Sequence, residues 1–470
     1  MVFSSVSFLF AFLPITILLY FVVPEKCKNI VLLICSLLFY AWGEPVYVFL
    51  MMLSIGFNYV IGLNIESDRK DAQRAKADII FAVVVNLSLL AFFKYYGFLV
   101  SNLNAVLPFD IPYRELDLPI GISFYTFQAM SYVIDVYRNK VKVQHSLLKF
   151  GVYISMFPQL IAGPIVQYSD IEKQLEKRTV NMTKLGDGVL YFIRGLAKKV
   201  IIANSVGLVF SKISGMEFIS MSVLTAWLGA ISYAFQIYFD FSGYSDMAIG
   251  LGKMFGFEFM KNFDYPYTSR SVTEFWRRWH ISLSRWFREY VYIPLGGNRK
   301  GKQRTIINLL IVWGLTGLWH GANWTFICWG LYYGVILILE RFVFYKFVER
   351  LPNAVRHLYT MVLVLIGWVF FFSPDLGYAG SYIGVMFGIG AKGLVDRQFW
   401  FLLLTNWVLY ILAGLGSTTV GFYWLDRIVY NYHNGQGRRE VACVVYTAMF
   451  LITVAYLISE TFNPFLYFRF

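Results

Sequence analysis

The chain has 470 residues, a formal net charge of +13, 58% hydrophobic residues, only 15% charged ones and a mean hydropathy of +0.57. Soluble chains carry about a quarter charged residues and under half apolar ones, so disordered, fibrous and ordinary cytosolic proteins are excluded and an integral membrane protein is expected. The aromatic share of 19% suits a chain with many helix ends to anchor at the lipid–water boundary. Cys27, Cys35, Cys328 and Cys443 sit singly in or beside apolar runs, without a C-x-x-C pair or a histidine at zinc spacing, so neither disulfides nor a metal site is expected.

A helix crosses the hydrocarbon core in about 20 residues, and lysine and arginine bias loops toward the cytoplasm. The opening stretch SVSFLFAFLPITILLYFVVPEKCKN lacks a basic start and a small-residue cleavage site, so it reads as a retained first helix rather than a signal peptide. Apolar runs lie near 6–23, 29–42, 45–63 and 79–100. Arg69, Lys70, Arg74 and Lys76 place the loop between the last two inside, whereas the following loop holds only Arg114 and is placed outside. Counting back puts the N-terminus outside.

The run 119–137 returns inward and is followed by Arg138, Lys140, Lys142 and Lys149. The next stretch, GVYISMFPQLIAGPIV, is too short to span, is broken by Pro158 and Gly163-Pro164, and has basic loops on both sides. It is expected to be re-entrant, which points to an internal cavity, because irregular backbone at membrane depth needs protein or water to satisfy it. Residues 186–260 are ambiguous, since Arg194, Lys198 and Lys199 interrupt one apolar run and Asp240 and Asp246 lie inside another. From Lys261 to Arg304 there are ten basic residues against Asp264, Glu274 and Glu289, so this segment is placed at the cytoplasmic face. Further apolar runs near 305–319, 324–340, 357–373, 398–418 and 441–458 bring the expected total to ten to twelve crossings of an all-α polytopic protein, with the C-terminus outside. No repeat or soluble domain is visible. Inner-face loops account for the basic charge, so nucleic acid binding is not inferred.

Two segments carry candidate chemistry. RSVTEFWRRWHISLSRWFREYVYIP is two-sided at about 100° per residue: Arg277, Arg278, Arg285 and Arg288 share one side, and Trp276 and other aromatics the opposite one, with His280 at its edge. Such a segment is expected in the membrane plane, either as an anchor on anionic lipid or as a binding face for a phosphorylated cytoplasmic donor. His320 lies in LLIVWGLTGLWHGANWTFICWGLYYG, with no charged residue from Thr305 to Leu339. An ionisable group deep in an apolar span is a functional hypothesis, and a neutral imidazole accepts the proton that acyl transfer to a hydroxyl releases; the alternative is a histidine that only joins two helices. His145, His357 and His433 lie beside basic loops and are expected to be solvated. Asp240 and Asp246 flank FSGYS and are expected to form a structural ion pair with a buried arginine, while Gln159 and Pro158 either line the cavity or only shape it.

Together the motifs FLFAFLPITILLYF, LPIGISFYTFQAMSYVIDVYR, MFPQLIAGPIVQY, YFDFSGYSDMAIGLG, WRRWHISLS, GLWHGANWTFICWG and NPFLYFRF resemble the membrane-bound O-acyltransferase superfamily, in its bacterial alginate O-acetyltransferase-like branch. The resemblance runs over nearly the whole chain. It implies a single acyltransferase domain over 1–470, with N-terminal helices 1–118, a core of about 119–373 and C-terminal helices 374–470 around a central tunnel.

The resemblance further implies an enzyme of the bacterial inner membrane that takes an acetyl group from cytoplasmic acetyl-CoA, a substrate rather than a tightly bound cofactor. His320 matches the family's catalytic histidine and His280 its second characteristic one. Arg277, Arg278, Arg285, Arg288 and Trp276 are expected to hold the donor, with Trp319 and Asn323 shaping the tunnel and polarising the thioester carbonyl. A partner esterase-like acetyltransferase outside the membrane, working with the polysaccharide biosynthesis machinery, is expected to receive the acetyl group. Peptidoglycan O-acetylation and teichoic acid D-alanylation remain alternatives within the family. Composition alone fits a transporter or flippase equally, although the paired inverted halves common in transporters are not visible.

Overall fold

A computed structural model describes every residue except 162, 422, 424, 426, 428–438, 461, 465 and 467–470; His433 and most of the closing NPFLYFRF motif therefore lie outside the described residues. Every regular element among the described residues is helical, in agreement with the all-α expectation. The chain divides into two compact units, the first built from Met1–Phe192 and Tyr244–Met260, the second from Ile193–Gly243 and Lys261–Leu466.

The first unit contains α1 (Leu13–Val22), α2 (Lys28–Gly43), α3 (Tyr47–Ser67), α4 (Ala72–Asn104), α5 (Ile122–Tyr137), α6 (Leu147–Ser155), α7 (Phe157–Leu160) and α8 (Tyr168–Glu176). Asp71 starts α4 by accepting from the backbone N–H groups of Gln73 and Arg74, two of the donors that a helix start leaves unsatisfied. Asn58 and Asn86 exchange side-chain amide hydrogen bonds of 3.1 and 2.8 Å between α3 and α4, the kind of polar contact that joins helices where lipid gives no hydrophobic drive.

The stretch expected to be re-entrant has irregular backbone. Met156 leaves the helical region between α6 and the single turn α7, and the chain from Phe150 to Leu160 is buried throughout. Protein groups satisfy it: Phe157 N donates to Ser36 Oγ at 3.1 Å, Tyr153 OH to Val166 O at 3.2 Å, and Gln159 Nε2 to Tyr153 O at 2.5 Å. Gln159 thus holds the broken backbone.

In chain order the helices continue as α9 (Met182–Ala197), α10 (Asn204–Ser214), α11 (Val223–Met254), α12 (Val272–Arg278), α13 (Ile281–Phe287), α14 (Gly301–His320), α15 (Trp324–Leu339), α16 (Tyr345–Arg350), α17 (Asn353–Phe372), α18 (Leu376–Met386), α19 (Arg397–Thr405), α20 (Trp407–Gly416) and α21 (Arg439–Ser459). In the second unit Asp240 does form a buried ion pair, but with Lys199 at 2.5 Å rather than with an arginine. Asp240 Oδ2 also accepts from Leu466 N at 3.0 Å, and Lys199 donates to Pro464 O, so the pair is bound by backbone as well.

Among the described residues six helices are long and apolar enough to cross a membrane: Glu25–Gly43, Tyr47–Lys70, Ala72–Asn104, Trp324–Phe344, Asn353–Phe372 and Glu440–Ser459. The run near 398–418 is not one straight helix: α19 and α20 meet at 65°, where Asn406 leaves helical geometry and its side chain donates to Leu402 O. The run near 119–137 forms α5, in which every residue except Ile134 and Tyr137 is buried, so it is enclosed by protein rather than facing lipid.

Candidate active site

The arginine-rich segment is not one continuous helix. α12 ends at Arg278, Trp279 is extended, and His280 takes the left-handed conformation (φ 43°, ψ 56°) before α13 begins. The chain just upstream causes the break: Ile281 N donates to Asn262 O and Asp264 N to Arg278 O, each at 2.9 Å, so these backbone groups are taken from any continuous helical ladder. The turn leaves Arg277 and Arg278 on α12 and puts Arg285 and Arg288 on the helical segment that follows. Arg278 pairs with Glu274 at 2.7 Å and donates to Asp264 O and Thr268 Oγ1, whereas Arg277, Arg285 and Arg288 line a cavity.

The start of α12 is held by a residue far along the chain. The buried carboxylate of Glu340 accepts from Val272 N at 2.7 Å, Thr273 N at 2.8 Å and Thr273 Oγ1 at 2.7 Å, while Ser271 Oγ accepts from Glu274 N. An anion on the first amides of a helix is favoured by both hydrogen bonding and the helix dipole. Glu340→Ala is therefore expected to destabilise the protein by about 2–4 kcal/mol, because it strands two buried N–H groups and a hydroxyl. Thermal unfolding in detergent checks this, and Glu340→Gln should fall between the two.

Two glycines set the second wall. A Cβ on Gly317 would lie 2.3 Å from Phe326 O, and one on Gly330 2.3 Å from Trp313 O, so only glycine lets α14 and α15 approach this closely. Leu309, Val312, Trp313, Thr316 and His320 then recur at helical spacing along the face of α14 that lines the cavity. His320 is the last residue of α14 and is only 2% exposed, yet it forms part of the wall. Trp319, Trp329 and Phe371 enclose it at ring separations of 5.0, 4.8 and 5.1 Å. Trp319 also meets His280 at 6.0 Å, so one indole touches both imidazoles.

The cavity has a volume of about 1210 Å³, and its wall includes His280, His320, Trp276, Arg277, Arg285 and Arg288. Trp276 packs edge-on against Trp313, Trp329 and Tyr333. Asn323 is placed elsewhere: it caps α15 by accepting from Thr325 N at 2.9 Å and donates to Pro374 O at 2.8 Å. Trp319 is buried behind the wall. Sequence reasoning missed Arg341 and Arg356, which also line the cavity, and Glu340, visible in sequence only as the first charge after a long apolar run.

The electrostatic balance of the wall is basic. Glu340 is engaged by amides, Glu274 by Arg278, and Arg285 by Glu289 at 3.1 Å. Among the described residues Arg277, Arg288, Arg341 and Arg356 form no ion pair with a carboxylate. Burial pushes the His280 imidazole down, to about 3, which keeps it neutral in ordinary buffers. Neutral imidazoles supply proton acceptors, and guanidiniums without counter-ions suit phosphate groups.

Buried imidazoles and arginines thus share one cavity in a chain rich in apolar helices. The sequence profile of the membrane-bound O-acyltransferase family matches residues 137–374. The chain is 44% identical over 402 residues to the probable alginate O-acetylase AlgI of Pseudomonas aeruginosa, covering 84% of this chain and 76% of that one. It is 39% identical to the probable alginate O-acetylase AlgI of Pseudomonas putida over the whole of both chains. A peptidoglycan O-acetyltransferase of Helicobacter pylori is 36% identical, over 84% of this chain and 81% of its own. The chain belongs to the membrane-bound O-acyltransferase family, in its alginate O-acetyltransferase-like branch, and is an O-acyltransferase.

Proposed function

We propose that the protein takes an acetyl group from cytoplasmic acetyl-CoA and passes it across the bacterial inner membrane for O-acetylation of an alginate-like exopolysaccharide. The observation that carries this reading is that His280, His320 and the arginines Arg277, Arg285 and Arg288 share one cavity wall. The arginines hold the CoA phosphates, and the acetyl-pantetheine arm reaches inward to His320. An acceptor hydroxyl attacks the thioester carbonyl while the His320 imidazole takes its proton; the new C–O bond forms, the C–S bond breaks, and the proton passes to the departing CoA thiolate. Trp276 gives the arm an aromatic wall, and Trp319 fixes the two imidazoles relative to each other.

In this reading the whole chain acts as one acyltransferase domain of ten to twelve crossings around a tunnel, with both termini extracytoplasmic. The acetyl group leaves on a partner acetyltransferase of esterase-like chemistry that modifies the polysaccharide. Peptidoglycan as the final acceptor is the second reading, supported by the 36% identical Helicobacter pylori relative. Incubating purified protein with labelled acetyl-CoA and each acceptor system tests the proposal: consumption of the thioester with label on the alginate-like polymer is expected. A carrier or flippase would leave the thioester intact.

A further inference from the structure

His280 has an unusual backbone and a well-defined partner. Non-glycine residues seldom adopt the left-handed conformation, and such strain gathers where the surrounding structure imposes it for a purpose. Here the imposing residue is Asn262. Its side-chain Oδ1 accepts from Ser282 N at 3.1 Å and from Ser282 Oγ at 2.9 Å, and it faces His280 Nδ1 at 3.2 Å. Because a backbone N–H can only donate, the atom at this junction is the amide oxygen and not the nitrogen.

That oxygen fixes the ring's proton. Nδ1 facing an acceptor must itself carry hydrogen, and the Ser282 hydroxyl, whose single proton goes to Asn262, has none left for Nδ1 at 3.5 Å. The hydrogen therefore sits on Nδ1. Nε2, buried and without a hydrogen-bond partner among the described residues, is left with its lone pair on a ring that forms part of the cavity wall. Phe241 and Trp319 cover the ring at 4.7 and 6.0 Å and offer it no acidic group.

We propose that Asn262 is a positioning residue for the acyl transfer: it holds His280 in the Nδ1–H tautomer, so that Nε2 accepts a hydrogen bond from an O–H or N–H of the bound substrate. The chemical role of Nε2 rests on the function proposed above, but the tautomer does not. Free imidazole side chains favour hydrogen on Nε2, so the assignment runs against the default.

Nitrogen-15 NMR of histidine-labelled protein in lipid, with the His280 signal identified by its loss in His280→Gln, reads the tautomer directly. The expected result is a neutral ring protonated at Nδ1, changing to Nε2–H in Asn262→Leu, which has no acceptor. Turnover should fall about 100-fold in Asn262→Leu with the KM for acetyl-CoA little changed, whereas Asn262→Asp, which keeps the acceptor, should restore most of it. A wild-type ring protonated at Nε2 overturns the proposal, as does an Asn262→Leu variant with unaltered tautomer. Absence of acetyl-CoA turnover in the wild type would defeat the functional reading alone, with the tautomer still decided by the spectrum.

Discussion

Replacing His320 with alanine should lower acetyl transfer by about 10²–10⁴-fold, the range that removal of a general base produces, while the protein still inserts and folds. The imidazole is part of the cavity wall at the last residue of α14, and it carries a basic nitrogen, which the Trp313 indole on the same helix face does not. Its neighbours Trp329 and Phe371 are hydrocarbon-rich and cannot take a proton at neutral pH. His320→Gln is the better control for packing, since it preserves most of the side-chain volume among those rings but has no basic nitrogen. Both variants should lose turnover together, with thermal stability close to that of the wild type in His320→Gln. Retained turnover in either would remove His320 from the mechanism.

The second large effect is expected on donor binding. Arg277 and Arg288 line the cavity and form no carboxylate pair among the described residues, so binding a phosphate there breaks none of the described ion pairs. A charge-assisted hydrogen bond contributes about 1.5–3 kcal/mol, and each 1.4 kcal/mol is tenfold in affinity. The Arg277→Ala/Arg288→Ala double variant should raise the KM for acetyl-CoA by about 10–100-fold, with kcat changed far less, because the contact is uniform through the reaction. Raising salt should mimic the loss partly in the wild type and little in the variant. Arg278→Ala is an internal comparison from the same motif: it breaks the pair with Glu274 and should leave the KM largely as it was.

The contrast between Arg277 and Arg278 shows where sequence reasoning reached its limit. A period of about 100° per residue assigns all four arginines to one side, and three of them do reach the cavity. The fourth, Arg278, sits on the same short helix as Arg277 but is held by Glu274, Asp264 O and Thr268 Oγ1, and the last two are partners that no helical pattern relates to the motif. Six of the apolar runs recur among the described residues as helices long and apolar enough to cross a membrane, because length and hydropathy are local properties. The 65° bend at Asn406 was not legible, because a single polar residue inside an apolar run changes hydropathy little while ending a helix.

The candidate site was partly legible for the same reason. His320 stands out by being ionisable where no neighbour is charged, and the structure puts it in the cavity wall. Asn323, three residues past the helix end, looked equally close in sequence but is spent on capping α15. Glu340 and Asn262 were invisible as site residues, since each acts through a contact with backbone or side chains distant in the chain or beyond a turn. Asp240 was assigned correctly to an ion pair, and only the identity of its cation, Lys199, required three dimensions.

The most direct measurement is a structure in lipid nanodiscs with a non-hydrolysable acetyl-CoA analogue bound. The phosphates are expected beside Arg277 and Arg288, with the sulfur-equivalent atom about 3–4 Å from the His320 imidazole, a reactive distance. An analogue seated outside the arginine-lined cavity, or one whose acyl end lies far from both His320 and His280, would contradict the proposed mechanism.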